Sequence, residues 1–141
     1  MLAKASLIMC LLIAVGCSGK THSSDIFEAV NNNDVEYVRA WTGDINLSKN
    51  GECLLYIATG PKGGDDVVKM LLSKGANPNG TGTGYSPLMN AASWCSDKSV
   101  GLLIEAGANV NYRNASGKSA LDVVGQGRNT DAVRKLLNGA K

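Results

Sequence analysis

One histidine, His22, is all the imidazole in this chain of 141 residues. It precedes every segment that carries folding signals. No Ser-His-Asp triad, Cys-His pair or His-ligated zinc site can therefore assemble inside a folded domain. Charge of one sign is also missing. Lys+Arg number 14 against 12 Asp+Glu, so no basic field attracts nucleic acid. No apolar run is long enough to cross a membrane. The longest, Ala5 to Val15, has 11 residues. As a helix it reaches about 16 Å at 1.5 Å per residue, against roughly 30 Å of hydrocarbon. The carboxylates are scattered. Their one adjacent pair, Asp65-Asp66, suits a helix N-terminus, where the macrodipole favours acid, better than a catalytic dyad. Gly80-Thr-Gly-Thr-Gly84 lacks the Lys-Ser/Thr of a phosphate loop and follows no strand. Neither catalytic residues nor a cofactor or metal is expected, and the chain does not read as an enzyme.

The leader is informative. Met1 to Lys4 carries one positive charge, and the apolar run that follows has the length of a signal-peptide core. It ends in Ala14-Val15-Gly16-Cys17, which resembles the lipobox of bacterial lipoproteins, with Ala14 where that family usually has leucine. The resemblance implies that Cys17 becomes the first mature residue and carries acyl chains. Buried acyl CH₂ groups contribute about 0.8 kcal/mol each, and more than one chain is needed for stable anchoring. Ser18, rather than aspartate, follows the cysteine; in the Gram-negative family this implies an outer-membrane lipoprotein facing the periplasm. Residues 1–16 are thus expected to be a signal peptide and 17–24 a lipidated tether. That tether is polar and spans about 25 Å when extended. Loss of Lys4 leaves a net charge of +1. An ordinary cleaved secretory signal is the alternative.

Beyond the leader the dominant signal is a period. Gly51-Glu-Cys-Leu-Leu55, Gly84-Tyr-Ser-Pro-Leu88 and Gly117-Lys-Ser-Ala-Leu121 recur every 33 residues. Apolar runs ending in Gly75-Ala-Asn, Gly107-Ala-Asn and Gly139-Ala follow them. A fixed period of this length means stacked copies of one small unit.

Gly84-Tyr-Ser-Pro-Leu-Met-Asn-Ala-Ala92, followed by Val100 to Asn111, resembles the ankyrin repeat: G-x-T-P-L-H-x-A-A, a turn, a second apolar helix, then G-A-D/N-V-N. The resemblance implies a mainly α solenoid of about four helix-turn-helix units joined by β-hairpin-like fingers. The units are about 25–50, 51–83, 84–116 and 117–141, within a domain at 25–141. Ser86-Pro87 suits a helix start, and Asp25 with Glu28 has the spacing of a capping box. Val67, Val68, Leu71 and Leu72 form one stripe at helical period. Gly75, Gly107 and Gly139 are expected at left-handed positions just past the second helices. Trp41 aligns with Leu71 and is expected in the core.

Cys53 and Cys95 remain after the leader. Export permits a bridge. Their placement at opposite ends of neighbouring first helices, beyond the roughly 7 Å that a disulfide tolerates, favours two reduced, partly buried thiols.

Function then falls to the surface. Ankyrin proteins bind partners with the finger tips and the exposed side of the first helices. Motif offsets put Lys49, Asn50, Glu52, Gly82, Thr83, Tyr85, Ala115, Ser116 and Lys118 at the tips. Ser93, Trp94 and Gln126 fall at first-helix exits. Tyr85 and Trp94 are the candidate anchors, since aromatics dominate interface energetics; Trp94 also reads as a cover for its helix turn. Tyr112, near a finger, fits either role, and Asp97 and Lys98 belong to a solvated helix start. Small exported ankyrin lipoproteins resemble immunity proteins against antibacterial effectors, including lipases delivered by type VI secretion. The resemblance implies one protein partner, a membrane anchor, and no nucleic acid or small-molecule substrate. The alternative is an envelope scaffold or accessory factor for a resident enzyme, for example in oxidative-stress defence.

Overall fold

The structure is a computed structural model that describes residues 25–140; the expected signal peptide, Cys17 and the tether lie outside the described residues. The elements in order are α1 (Ile26–Asn31), α2 (Val35–Ala40), a hairpin of β1 (Ser48–Lys49) and β2 (Glu52–Cys53), α3 (Leu54–Ala58), α4 (Asp65–Ser73), α5 (Pro87–Ser93), α6 (Asp97–Glu105), a 3₁₀ turn at Leu121–Val123, and α7 (Thr130–Gly139). The first helices α1, α3 and α5 pack in sequence, and the 3₁₀ turn follows them; α2, α4, α6 and α7 form a second layer. The core lies between the layers, around Val38, Leu54, Leu71, Leu88, Met89, Leu103 and Leu137, all with no more than 2% exposure. No single helix pair covers its own stripe, so stability accumulates across interfaces between neighbours.

Local chemistry starts the helices. Asp25, Asp34, Ser86 and Ser96 each cap by accepting the amide three residues on, at 2.8, 3.1, 3.2 and 3.3 Å. Cys53 does the same with its sulfur, at 3.4 Å from the Tyr56 amide. α4 and α6 stop in the same way. Gly75 and Gly107 adopt φ of 88° and 90°. The next amides, of Ala76 and Ala108, donate back to Leu71 and Leu103 at 3.0 and 2.9 Å. That pattern satisfies the last carbonyls, and only glycine meets its backbone demand cheaply.

Polar links repeat at nearly the unit spacing. Lys74 Nζ donates to the Trp41 carbonyl (3.0 Å), and Asn90 Nδ2 to the Tyr56 carbonyl (2.9 Å). The hydroxyls of Ser96 and Ser99 both donate to Asp65 Oδ1 (2.9 and 2.5 Å), and Asn129 Nδ2 to Asp97 (2.8 Å). At the other edge Asn46 Oδ1 accepts the Asn77 amide (2.8 Å), and Asn79 Oδ1 the Asn109 amide (2.7 Å). Four of these bonds satisfy backbone groups, the Trp41 and Tyr56 carbonyls and the Asn77 and Asn109 amides, and together the links tie neighbouring units in register.

Four expectations need correction. Trp41 is not a core residue. The bonded asparagines put Asn46 in register with Asn79, so Val38 (0% exposed) stands where Leu71 does. Trp41 caps α2 half-buried, its ring stacked on Tyr37 with centroids 6.5 Å apart. Gly139 is not a left-handed terminator. It is the last residue of α7, and the cap falls at Ala140; glycine accepts helical backbone as readily as the left-handed kind. The fourth unit has no first α-helix, only the 3₁₀ turn. Val124 and Gly125 follow at once, and the chain is drawn flat against the third unit. Finally, one finger is a β-ladder among the described residues. In the third, Asn114 Oδ1 takes the amides of Ser116 and Lys118, both at 3.0 Å; in the second, proline and glycines interrupt the ladder.

Candidate protein-binding surface

The first finger is built on Asn50-Gly51. Lys49 pairs with Glu52 across a two-residue loop, and both loop residues have positive φ, 56° and 82°. Paired left-handed residues define the turn that matches strand twist, and Asn-Gly is the pair that adopts it most easily. The turn projects Lys49, Asn50 and Glu52 from the fold. Lys49 is partly committed: its ammonium lies 3.9 Å from Asp25 and 5.5 Å from the Phe27 ring centroid.

The second finger leans on the first. The Cys53 amide donates to the Thr81 carbonyl at 3.0 Å. Thr83 donates to Glu52 at 3.2 Å and lies 3.4 Å from the Tyr56 hydroxyl. Gly82 rests on the Tyr56 ring so closely that a Cβ there would fall 2.2 Å from it. Glu52 and Thr83 therefore form one tip with Tyr56, which the motif offsets did not single out. Tyr85 is half-buried and packs against the core, so it presents only part of its ring.

The third finger carries Ala115, Ser116 and Lys118, all exposed. Arg113 ties its base, donating to the Gly117 carbonyl at 2.7 Å and lying 3.5 Å from Asp122. Ser119 donates to the Asp122 carboxylate from its amide (2.8 Å) and its hydroxyl (2.7 Å). These two bonds hold the Asp122 carboxyl below its ordinary range, and Arg113 adds to the effect.

At the opposite edge the first-helix exits stack. Trp94 caps α5 and is 56% exposed, the most exposed of the large hydrophobics among the described residues. Ser93 turns its hydroxyl inward to the Asn90 carbonyl (2.8 Å). The segment Gly125-Gln-Gly-Arg128 lies flat on this turn. A Cβ on Gly125 would sit 2.1 Å from the Ser93 carbonyl oxygen, and one on Gly127 would sit 3.1 Å from Cys95 Cβ. The alternate residues, Gln126 and Arg128, are exposed. Arg128 was missed in the sequence; the Gly-x-Gly-x alternation was the available signal. Cys95 beneath is buried with φ of 54°, and its thiol donates to the Gly125 carbonyl at 3.1 Å.

Cys53 and Cys95 are both free and buried. Burial pushes the Cys53 thiol up, against opposing backbone hydrogen bonds. Among the described residues no group of three His, Cys, Asp or Glu is arranged to hold a metal, and no helix is long and apolar enough to cross a membrane.

The stacked helix pairs, projecting turns and exposed indole define a repeat protein that works by surface contact. The chain belongs to the ankyrin-repeat family: the family model for ankyrin repeats, in three copies, matches residues 26–114. Among solved structures it is similar to the human ASB11 ankyrin repeat domain, at 28% identity and a TM-score of 0.66. That alignment covers 97% of this chain and 62% of the other, so the chain spans under two thirds of that domain's length. No curated protein matches the sequence. Repeats of this kind make the chain a protein–protein interaction module.

Proposed function

We propose that this module is a membrane-tethered inhibitor, an immunity protein that binds and neutralises an antibacterial effector such as a secreted lipase. The observation that carries the binding half of the reading is Trp94. A large aromatic side chain left mostly in water, on a turn against which the loop carrying the exposed Gln126 and Arg128 packs through its glycines, is the composition of an interface anchor. The finger tips add Lys49, Asn50, Glu52, Thr83, Ser116 and Lys118, with Ser93 and Tyr85 supporting the edges from half-buried positions. The anchoring half rests on the Cys17 motif and places the protein on the periplasmic face of the outer membrane. A lipase attacks a bilayer, so an inhibitor on a short leash stands where it is needed. The inhibitor role itself rests on resemblance in size and leader, which is an associational argument.

Two measurements test the reading. The effector encoded beside this gene should form a one-to-one complex with the purified protein, and a deletion strain should become sensitive to that effector. An unaffected deletion strain rejects the inhibitor role. Globomycin treatment tests the anchor: an unprocessed, lipid-modified precursor should accumulate if Cys17 is the lipidation site.

A further inference from the structure

The chain contains three Asn-Gly steps, Asn50-Gly51, Asn79-Gly80 and Asn138-Gly139. Such a step can deamidate spontaneously. The glycine amide nitrogen loses its proton to base and attacks Cγ of the asparagine. A new C–N bond closes a five-membered imide, and ammonia leaves. Water then opens the imide at either carbonyl, giving aspartate or isoaspartate. The sum is asparagine plus water to acid plus ammonia, with no change of oxidation state. Glycine is the favourable successor because no side chain hinders its nitrogen. In a folded chain, the hydrogen bonds on both reacting groups decide which step proceeds.

Two of the three steps are held. Asn79 Oδ1 accepts the Asn109 amide at 2.7 Å, and its Nδ2 donates to the Gly107 carbonyl at 3.2 Å. The attacking nitrogen is held too, since the Gly80 amide donates to the Asn77 carbonyl at 3.1 Å. Asn138 and Gly139 both lie within α7, where the hydrogen-bond ladder fixes the peptide. Asn50 differs on both counts. It is exposed at the hairpin tip, and among the described residues neither its carboxamide nor the Gly51 amide has a hydrogen-bond partner. The hairpin has two residues in each strand. Ribbons this short open with little free energy, so the turn can rotate its amide toward Cγ.

We infer that Asn50 is a site of selective, spontaneous deamidation, which converts the first finger tip from neutral to anionic. The new carboxylate stands between Lys49 and Glu52. The isoaspartate product also inserts a backbone methylene into a two-residue loop, which ends the Lys49–Glu52 pairing. The site is independent of the inhibitor reading, because its chemistry is intrinsic to the chain.

The test is incubation of the purified full chain in mildly alkaline buffer, folded and in concentrated urea, with peptide mapping by mass spectrometry and isoaspartate detection by methyltransferase labelling. In the folded protein Asn50 should convert at least about tenfold faster than Asn79 or Asn138, the protection that ordered backbone provides. In urea the three rates should converge. Comparable conversion of Asn79 or Asn138 in the folded chain overturns the inference. So does a preference of the same size in urea, which assigns the selectivity to sequence. An Asn50 that stays intact when folded but reacts in urea also overturns it.

Discussion

Two glycine-to-alanine substitutions should move stability in opposite directions. Gly101 lies inside α6, and a Cβ there meets nothing within 4 Å. Alanine removes the backbone-entropy cost of an interior helical glycine, so Gly101→Ala should stabilise by about 0.5–1 kcal/mol. Gly125 has ordinary backbone geometry, but its Cβ would lie 2.1 Å from the Ser93 carbonyl oxygen and 3.1 Å from the carbonyl carbon. That obstacle is backbone and cannot rotate away. The two loops must separate, which also removes the Gly125 amide bond to the Ala92 carbonyl (3.2 Å) and the Cys95 thiol bond. Overpacking of this kind costs about 1–3 kcal/mol, and the lost bonds add about 0.5–1.5 kcal/mol each. Gly125→Ala should therefore destabilise by roughly 2–6 kcal/mol. Urea titration of both variants reads the two signs directly. A neutral Gly125→Ala refutes the close stacking of the fourth unit on the third.

Trp94→Ala should leave the urea midpoint nearly unchanged and weaken partner binding by about 2 kcal/mol, roughly thirtyfold, measured by calorimetry; full affinity would remove the indole from the interface. Asp65→Ala strands the buried Ser99 hydroxyl and should cost about 1–3 kcal/mol, whereas Ser96→Ala loses the half-buried α6 cap and should cost about 0.5–2 kcal/mol. Asp122 should titrate below the ordinary aspartate range by carbon-detected NMR. Its folded pKa is the depressed one, so its contribution is present above about pH 4 and fades as pH falls through the folded value; Ser119→Ala should move the titration upward. The Cys53 thiol, raised by burial, should react slowly with maleimide at neutral pH and become reactive on unfolding. Its raised pKa means stability is fully present below about pH 8.5 and declines as pH rises further.

The legible features were those enforced by local chemistry. Gly75 and Gly107 occupy the left-handed positions that their place after an apolar helix implied. Ser86, Asp25 and their amides form the expected caps. Register was harder: Trp41 is apolar and lies near the right place, but helix α2 ends at Ala40 and Val38 takes the core position. Trp41 lies three residues past the position that aligns with Leu71, because the first unit is short and its glycine does not fix the phase. The Asn50-Gly51 hairpin carried a strong local signal, while in the third finger the Asn114 side chain takes the turn amides instead. On the binding surface, exposure of Trp94 and partial burial of Tyr85 depend on what the neighbouring units cover. No pattern within one unit contains that information.

What the amino-acid order determined alone was the unit: a period, caps, terminators and an apolar stripe, each set by contacts a few residues apart. What tertiary structure decided was how units meet. Gly125 and Gly127 flatten one loop on another, Asp65 gathers two serines from the next helix pair, and Asn79 is locked where Asn50 is left free. Those outcomes depend on groups about one repeat apart in sequence brought within hydrogen-bond reach. Only the stacked chain supplies that proximity.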